Sequence, residues 1–194
     1  MNSASNGALF KSCIRATEVT LGGFDFDTMA FLTPKQLSCG IVILNEAREL
    51  LLCHVTGQSH WDLPKGGIDA HERPIDAALR ETREETGLRL DAGTLLDLGR
   101  MRYLAGKDLH LFAICMARID VAQLKCESYF SQRPSGRLLP EMDGFGWFDF
   151  ERVASLCTPK MSATLGGASG LARLLARLTK PRAAVVMGQP SFAT

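Results

Sequence analysis

The sequence has no long apolar run, no closely paired cysteines and no excess of charge of either sign. No stretch approaches the ~20 consecutive apolar residues that a membrane-spanning helix needs. The N-terminal stretch 1–19 lacks the apolar segment of a secretory signal. We therefore expect a protein that neither enters a membrane nor is secreted, and that resides in the cytoplasm.

Six cysteines are present, but no two of them form a C-x-x-C pair. Metal-binding and redox-active cysteines often occur in such pairs. Cys53 and Cys115 lie instead within apolar runs, where free thiols pack as small apolar side chains. This usage favours buried, reduced thiols in a cytoplasmic protein over disulfides or a zinc site.

The charge is balanced, with 22 Lys and Arg against 21 Asp and Glu and a net charge of +1. A DNA-binding protein usually carries a strongly basic surface, so we expect no DNA partner. The length of 194 residues, 46% of them hydrophobic, suits one domain with a proper core.

One stretch, residues 66–88, combines helix signals with a cluster of acids. Pro74 suits a first helical position and Gly87 a C-terminal stop. At about 100° per residue, three carboxylates share an arc of roughly 100° on this helix: Glu81, Glu84 and Glu85. Such crowding of like charge destabilises a helix unless a hard cation such as Mg²⁺ or Mn²⁺ binds there. The alternative is a solvated acidic face.

The same stretch resembles the signature of the Nudix hydrolases, G-x5-E-x7-R-E-U-x-E-E-x-G-U, in which U is apolar. The matching positions are Gly66, Glu72, Arg80, Glu81, Glu84, Glu85, Gly87 and Leu88. Thr82 is the one departure, because an aliphatic residue is usual there; its methyl group can still pack. The resemblance covers this box closely and residues 38–156 more loosely. It implies an α/β fold, a Nudix-type α/β/α sandwich with a mixed β-sheet, with the box helix and the C-terminal helix on opposite faces.

The resemblance implies a metal-dependent pyrophosphohydrolase that cleaves a nucleoside diphosphate linked to another group, for which a dinucleoside polyphosphate is one candidate. The implied ligands of Mg²⁺ or Mn²⁺ are the carbonyl of Gly66 and the carboxylates of Glu81, Glu84 and Glu85. We expect Glu84 and Glu85 to be catalytic through this metal, and the partner to be a small nucleotide. A catalytically silent nucleotide sensor of the same fold is the alternative, but silent members commonly lose a ligand carboxylate and none is missing here.

Glu72 and Arg80 are predicted to support the site rather than to react. Glu72 lies just before the helix, and a bidentate contact with Arg80 would hold the loop against it.

A base that activates water is expected outside the box, because a metal-bound carboxylate is a poor proton acceptor. The candidates are Glu127, Glu141 and Asp143. We prefer Glu141, which lies in a segment predicted to be flexible, and some Nudix enzymes carry a catalytic glutamate on the loop before such a strand. A solvated Glu141, with a box glutamate as the base, is the alternative.

Several residues outside the box are candidates for binding substrate. Lys65 follows Trp61-x-x-Pro64, a pattern that resembles the dinucleoside polyphosphate and RNA 5′-pyrophosphate branches of the family, and is predicted to contact a phosphate. The further phosphate contacts predicted are Arg100, Arg102 and Lys107. Tyr103 is predicted to stack on a base or to belong to the core. His54 is interpreted as an ordinary strand side chain.

The remaining pattern divides the chain into an N-terminal extension 1–37, for which one or two short packed strands are predicted, a Nudix domain 38–179 and a mobile tail 180–194. Strands are predicted at 38–44, 49–55, 88–90, 94–103, 109–118 and 147–148, and helices at 150–156 and 169–178. The polar stretch 123–139 is predicted to be a loop. The leucine period in 169–178 predicts a helix docked on the core or on the partner in a homodimer.

Overall fold

The computed structural model describes residues 35–180, and every structural statement below concerns those residues. Residues 1–34 and 181–194 lie outside them, so the predictions for most of the N-terminal extension and for the tail are not addressed. The strands are β1 (Gln36–Leu44), β2 (Glu49–Val55), β3 (Trp61–Asp62), β4 (Lys65–Gly67), β5 (Leu96–Leu104), β6 (Lys107–Cys115), β7 (Tyr129–Gln132), β8 (Arg137–Pro140) and β9 (Met142–Asp149). The α-helices are α1 (Pro74–Thr86), α2 (Val153–Leu156), α3 (Pro159–Leu165) and α4 (Gly167–Thr179).

Seven of these strands form one mixed sheet, and the other two form a separate hairpin. The order is β3-β2-β1-β6-β5, with β4 also paired to β1 and β9 to β2. β1 and β6 run parallel from Gln36 opposite Lys107 to Leu44 opposite Cys115, while the other pairs are antiparallel. Parallel neighbours need a long crossover, and the segment that contains α1 belongs to it. The predicted mixed sheet is confirmed.

Strand β1 is buried on both faces, since alternate side chains point to opposite sides of the sheet. Ile41 and Ile43 pack in a cluster with Ala77 and Ala78 of α1. On the other face, the alternate β1 residues Val42 and Leu44 share a cluster with two leucines of α4, Leu171 and Leu175. Each large apolar side chain buried this way contributes roughly 1.5–3 kcal/mol. The box helix and the C-terminal helix thus lie on opposite faces, and α4 docks on the core.

Three predicted elements differ from the structure. The predicted loop 123–139 begins at the last residue of a short 3₁₀ helix, Val121–Gln123, and most of its second half forms the β7–β8 hairpin. The strand predicted at 147–148 is β9, so the segment 141–146 is mostly paired with β2 rather than flexible. The glycines in this segment have a weak propensity for strands, so the sequence carried no strand signal. Pairing with the buried strand β2 overrides that propensity. Residues 88–90 form no strand.

The five cysteines among the described residues are all free thiols. Burial raises the pKa of Cys39 to about 11, and the nearby Glu72 carboxylate adds to the rise. Such a thiol stays protonated and unreactive. No helix between residues 35 and 180 is both long and apolar enough to cross a membrane.

Candidate metal and nucleotide site

Helix α1 carries the predicted metal ligands, and its sequence defines both of its ends. Pro74 is the first helical residue, where its missing N–H leaves no hydrogen bond unmade. Gly87 ends the helix in the left-handed region at φ 78°, and its N–H donates to the Arg83 carbonyl over 2.7 Å. The last turn, which carries Glu84 and Glu85, is therefore well defined.

Arg80 connects this helix to the loop before it. Its guanidinium donates two hydrogen bonds of 2.9 Å to the Glu72 carboxylate and one of 2.8 Å to the Gly67 carbonyl. It also donates to Glu81 over 2.7 Å and to Glu84 over 3.3 Å. A bidentate contact orients both partners, so Glu72 and Arg80 meet in the way that their predicted supporting role requires.

The loop backbone at Gly66 lies directly against the carboxylate of Glu81. A Cβ at position 66 would lie 2.1 Å from both Cδ and Oε2 of Glu81. At the neighbouring Gly67 a Cβ would meet no atom within 4 Å. Only glycine at position 66 allows this approach, so two of the predicted ligand residues share one small region.

Glu85 is a buried carboxyl with little positive charge around it. Glu85 is one of the buried residues of α1 and is only 3% exposed. Its Oε2 accepts a hydrogen bond from the Lys65 N–H over 2.8 Å. Burial nevertheless raises the pKa of Glu85 to about 8, and the carboxylates of Glu81 and Glu141 add to the rise. Burial also raises the pKa of Glu81, although Arg80 opposes it.

These residues fit a divalent cation in two respects. Glu81 and Glu85 supply buried carboxyl oxygens whose pKa values are raised, in Glu81 even with Arg80 beside it, and Mg²⁺ or Mn²⁺ would stabilise their charged forms. Because Gly66 has no side chain, the Glu81 carboxylate can lie directly against the loop, in space that a Cβ would occupy. Between residues 35 and 180 no three such groups already stand together as a metal site. Arg80 donates to Glu81 and Glu84, and the Lys65 N–H donates to Glu85, so a bound cation would replace some of these hydrogen bonds.

An open cavity of about 410 Å³ lies beside Glu85. Glu141, Lys65 and Asp62 also line it. The ammonium group of Lys65 pairs with Asp62 over 2.9 Å, and both side chains are largely buried. Burial lowers the pKa of Lys65, but the Asp62 carboxylate outweighs this and leaves it above its ordinary value. Because Asp62 balances its charge, Lys65 adds no net positive charge to the cavity.

The other predicted substrate contacts lie elsewhere among the described residues. Arg100 pairs with Asp108 over 2.9 Å, and Arg102 is exposed. Burial lowers the pKa of Lys107, which is half-buried at the start of β6. Tyr103 packs against the core on the α4 face, which was its alternative role. None of the four lines the cavity beside Glu85, and their contacts with substrate stay predictions.

The three candidate bases are separated by the structure. Glu141 lines the cavity together with Glu85. Asp143 contacts Nδ1 of His54 instead, and Glu127 is exposed. His54 thus makes an ordinary side-chain contact on strand β2. Glu141 remains the preferred base, as a prediction.

The sequence reasoning missed Asp62 and Phe130 among the residues that line the cavity. Asp62 and the predicted Lys65 are opposite charges three positions apart, a spacing that could have indicated their pair. Phe130 also lines the cavity. It lies in a polar stretch without hydrophobic period, so the sequence carried no signal for its place.

Comparison with known proteins shows which family the sequence matches. A family model described as the NUDIX domain matches residues 34–164. An uncharacterised 17.7 kDa protein from the e-segB intergenic region of Enterobacteria phage T4 is 38% identical over 57% of this chain and 80% of its own length. An RNA pyrophosphohydrolase of Thioalkalivibrio sulfidiphilus is 31% identical over 58% of this chain and 69% of its own. The asymmetrical bis(5′-nucleosyl)-tetraphosphatase of Mus musculus is 29% identical over 66% of this chain and 89% of its own.

A solved structure supports the fold. The NUDIX domain of Shewanella oneidensis NrtR, determined as a complex with ADP ribose, matches with a TM-score of 0.53. The match covers 81% of this chain and 100% of that chain, at 15% identity.

A mixed sheet between helices, with a carboxylate-bearing helix behind a glycine loop, defines an α/β/α sandwich of the Nudix type. The family model covers well over half of the sequence. The chain belongs to the Nudix family and is a Nudix hydrolase.

Proposed function

We propose that this protein is a pyrophosphohydrolase that depends on Mg²⁺ or Mn²⁺ and acts on a nucleoside diphosphate linked to a further group. The observation that supports this most is the pair of buried carboxylates, Glu81 and Glu85, beside the glycine loop and an open cavity. The cavity volume of about 410 Å³ is in the usual range for sites of small ligands.

Each residue of the site has a distinct proposed task. Glu81, Glu84, Glu85 and the Gly66 carbonyl hold the cation. When bound, it neutralises phosphate charge and lowers the pKa of coordinated water by several units. Glu141 accepts the proton of the water whose oxygen bonds to phosphorus, as the P–O bond to the leaving phosphate breaks.

The substrate candidates are a dinucleoside polyphosphate and the 5′-phosphorylated end of an RNA. Both are suggested by the Trp61-x-x-Pro64-Lys65 pattern and by the names of the two relatives given above. In either substrate a phosphoanhydride lies between a nucleoside and a further group. The balanced charge of the chain argues against a long duplex nucleic acid.

A nucleotide panel tests this function. The purified full-length chain is incubated with dinucleoside polyphosphates, nucleotide sugars, nucleoside triphosphates and 5′-triphosphorylated oligoribonucleotides, with Mg²⁺, with Mn²⁺ and with chelator. Chromatography follows the nucleotide products. We expect metal-dependent cleavage of the phosphoanhydride in at least one compound and none with chelator. Tight nucleotide binding without turnover of any compound would instead support the silent sensor.

A further inference from the structure

The hairpin of β7 and β8 is separate from the main sheet and exposes large apolar side chains. It forms a two-stranded sheet of its own. Tyr129 is 55% exposed, Phe130 37% and Leu138 68%. Single exposed apolar residues are normal on a protein, so the face on which each of these side chains lies decides what it can contact.

The base of this hairpin is attached to the helix that carries the carboxylates. The N–H groups of Glu127 and Ser128 donate to the Glu84 carbonyl over 2.6 and 3.2 Å. The Glu141 N–H donates to the Ser128 carbonyl, and the Thr56 N–H at the end of β2 donates to the Glu141 carbonyl, each over 3.0 Å. The last carbonyls of a helix need such outside donors. These bonds therefore fix the hairpin relative to α1 and to Glu141.

The strand register divides the hairpin into two faces. Phe130 lies opposite Leu139, and Gln132 lies opposite Arg137. Opposed residues point to the same side, and every second residue along a strand shares it. Because Phe130 lines the cavity beside Glu85, we call this side the cavity face. Its four side chains are Phe130, Leu139, Gln132 and Arg137.

The four side chains of the cavity face lie at two different distances from the cavity. Phe130 and its cross-strand partner Leu139 lie toward the base of the hairpin, and Phe130 lines the cavity. Gln132 and Arg137 lie two residues further toward the tip, about 7 Å away along the strands. A ligand that leaves the cavity along this face meets an aromatic ring first and a cation second.

We propose that the cavity face binds the 5′ end of an RNA, with the first base stacked on Phe130 and Arg137 in contact with the phosphate that follows the first nucleoside. The proposal rests on the proposed function and narrows its substrate. A phosphate on the far side of the first nucleoside exists in an RNA chain and not in a dinucleoside polyphosphate, whose phosphates all lie between its two nucleosides. RNA is also the nucleic acid whose chains begin with an intact 5′-triphosphate.

The energetics of these contacts are sufficient for recognition of a short single strand. Stacking of one base on an aromatic ring changes affinity by roughly 5- to 150-fold. One arginine–phosphate contact adds affinity without sequence preference and makes it salt-dependent. The chain therefore needs no extended basic surface to select such an end, in agreement with its balanced charge.

Binding without turnover is the first test. Calorimetry compares a 5′-monophosphorylated dinucleotide, pNpN, with the mononucleotide pN on the full chain. We expect Phe130→Ala to weaken both by about 10-fold and Phe130→Trp to keep the affinity. Arg137→Gln should weaken pNpN by about 3- to 10-fold, leave pN unchanged and reduce the salt dependence of pNpN binding.

Two matched controls lie on other surfaces. Tyr129→Ala removes the neighbouring aromatic on the opposite face of the hairpin, and Arg177→Gln removes an exposed arginine on α4. Both should stay within about twofold of the unmodified protein. If Phe130→Ala loses no more affinity than Tyr129→Ala, or if Arg137→Gln weakens pN as much as pNpN, the proposal is wrong.

Turnover supplies the second test and separates the two substrate candidates. We expect kcat/KM to be higher for pppNpN than for a dinucleoside tetraphosphate, with the Phe130→Ala loss mainly in KM. A higher kcat/KM for the dinucleoside tetraphosphate, with the same dependence on Phe130, would show that the face binds the second nucleoside of a small molecule. Failure of every phosphoanhydride to be cleaved would instead refute the proposed function and leave the pNpN binding result intact.

Discussion

Gly66 is the residue that controls how closely the loop approaches the metal-binding helix. In Gly66→Ala the new Cβ would occupy the place of the Glu81 carboxylate, which must move away. Because that carboxylate ends a movable side chain, the fold should survive. We expect Mn²⁺ affinity and kcat to fall by at least ~10-fold with little change in Tm. Gly67→Ala, whose Cβ meets no atom within 4 Å, is the matched control, and equal behaviour of the two variants would contradict this account.

Glu85 connects the site to the stability of the protein. Its pKa rises from 4.5 to about 8 on folding, so the folded state binds the proton more tightly than the unfolded state. The free energy of unfolding therefore falls as pH rises through the window between these two values. With chelator present, the free energy of unfolding of the native chain should fall by on the order of 1–2 kcal/mol more than that of Glu85→Gln when the pH rises from about 5.5 to about 7.5. Urea unfolding at both pH values measures this, and parallel profiles would contradict it.

Addition of Mg²⁺ provides a second readout on the same pair of proteins. A cation that binds the folded state alone stabilises it in proportion to its affinity. Near neutral pH the native chain should gain stability with Mg²⁺, whereas Glu85→Gln should gain much less.

Glu141 is the residue proposed to take the proton from water. Removal of a base within reach of its water typically costs ~10²–10⁴ in rate. We expect Glu141→Gln to lower kcat by that order with little change in KM, and to abolish the fall in activity at low pH. Asp143→Asn, two residues along and turned to His54, should keep its activity. If Glu141→Gln stays active while Glu84→Gln loses both the activity and the acid dependence, the base lies in the box.

At the scale of elements, helix α1 contains one polar group that its surroundings do not satisfy. Thr82 is fully buried, and its hydroxyl has no hydrogen-bond partner among the described residues. Thr86 is also buried, but its hydroxyl donates to the Thr82 carbonyl and accepts from the Leu88 N–H. Thr82→Val should therefore raise the free energy of unfolding by about 1 kcal/mol, and Thr86→Val should lower it. Denaturant unfolding of the two variants checks this, and a loss in Thr82→Val equal to that in Thr86→Val would contradict it.

The elements differ in how well the sequence predicts them. Helix α1 was predictable because Pro74, Gly87 and the apolar face all specify the same element. The β7–β8 hairpin was not, because its apolar side chains face the cavity and solvent rather than the core, so they show no period tied to burial. Strand β9 was mostly missed because its glycines carry no strand signal and its pairing with β2 is a long-range contact.

The site was predictable to a similar, partial extent. The box spacing placed Glu72 with Arg80 and Gly66 with Glu81, because these contacts form within one loop and helix. The cavity around Glu85 joins residues from distant parts of the chain, such as Phe130, whose meeting depends on the packing of the whole domain. A pattern of local spacing carries no information about such contacts.

In the molecule as a whole, the cavity is lined by residues from several separate elements of the fold. Glu85 comes from the helix that covers one face, Asp62 and Lys65 from the short strands beside β1 and β2, and Glu141 from the turn between the hairpin and β9. The central claim is that the carboxylates of α1 hold a metal that this chemistry requires.

The most direct test of that claim is the kcat of Glu84→Gln and Glu85→Gln at saturating Mg²⁺, on whichever substrate the panel selects. Glu46→Gln, in the turn between β1 and β2, is the matched control. We expect each box variant to lose at least ~10²-fold in kcat while remaining folded, and the control to retain full activity, because removal of an electrostatic stabiliser of the transition state costs that much. Turnover by Glu85→Gln close to that of the native chain, or undiminished turnover of the native chain in chelator, would contradict the account.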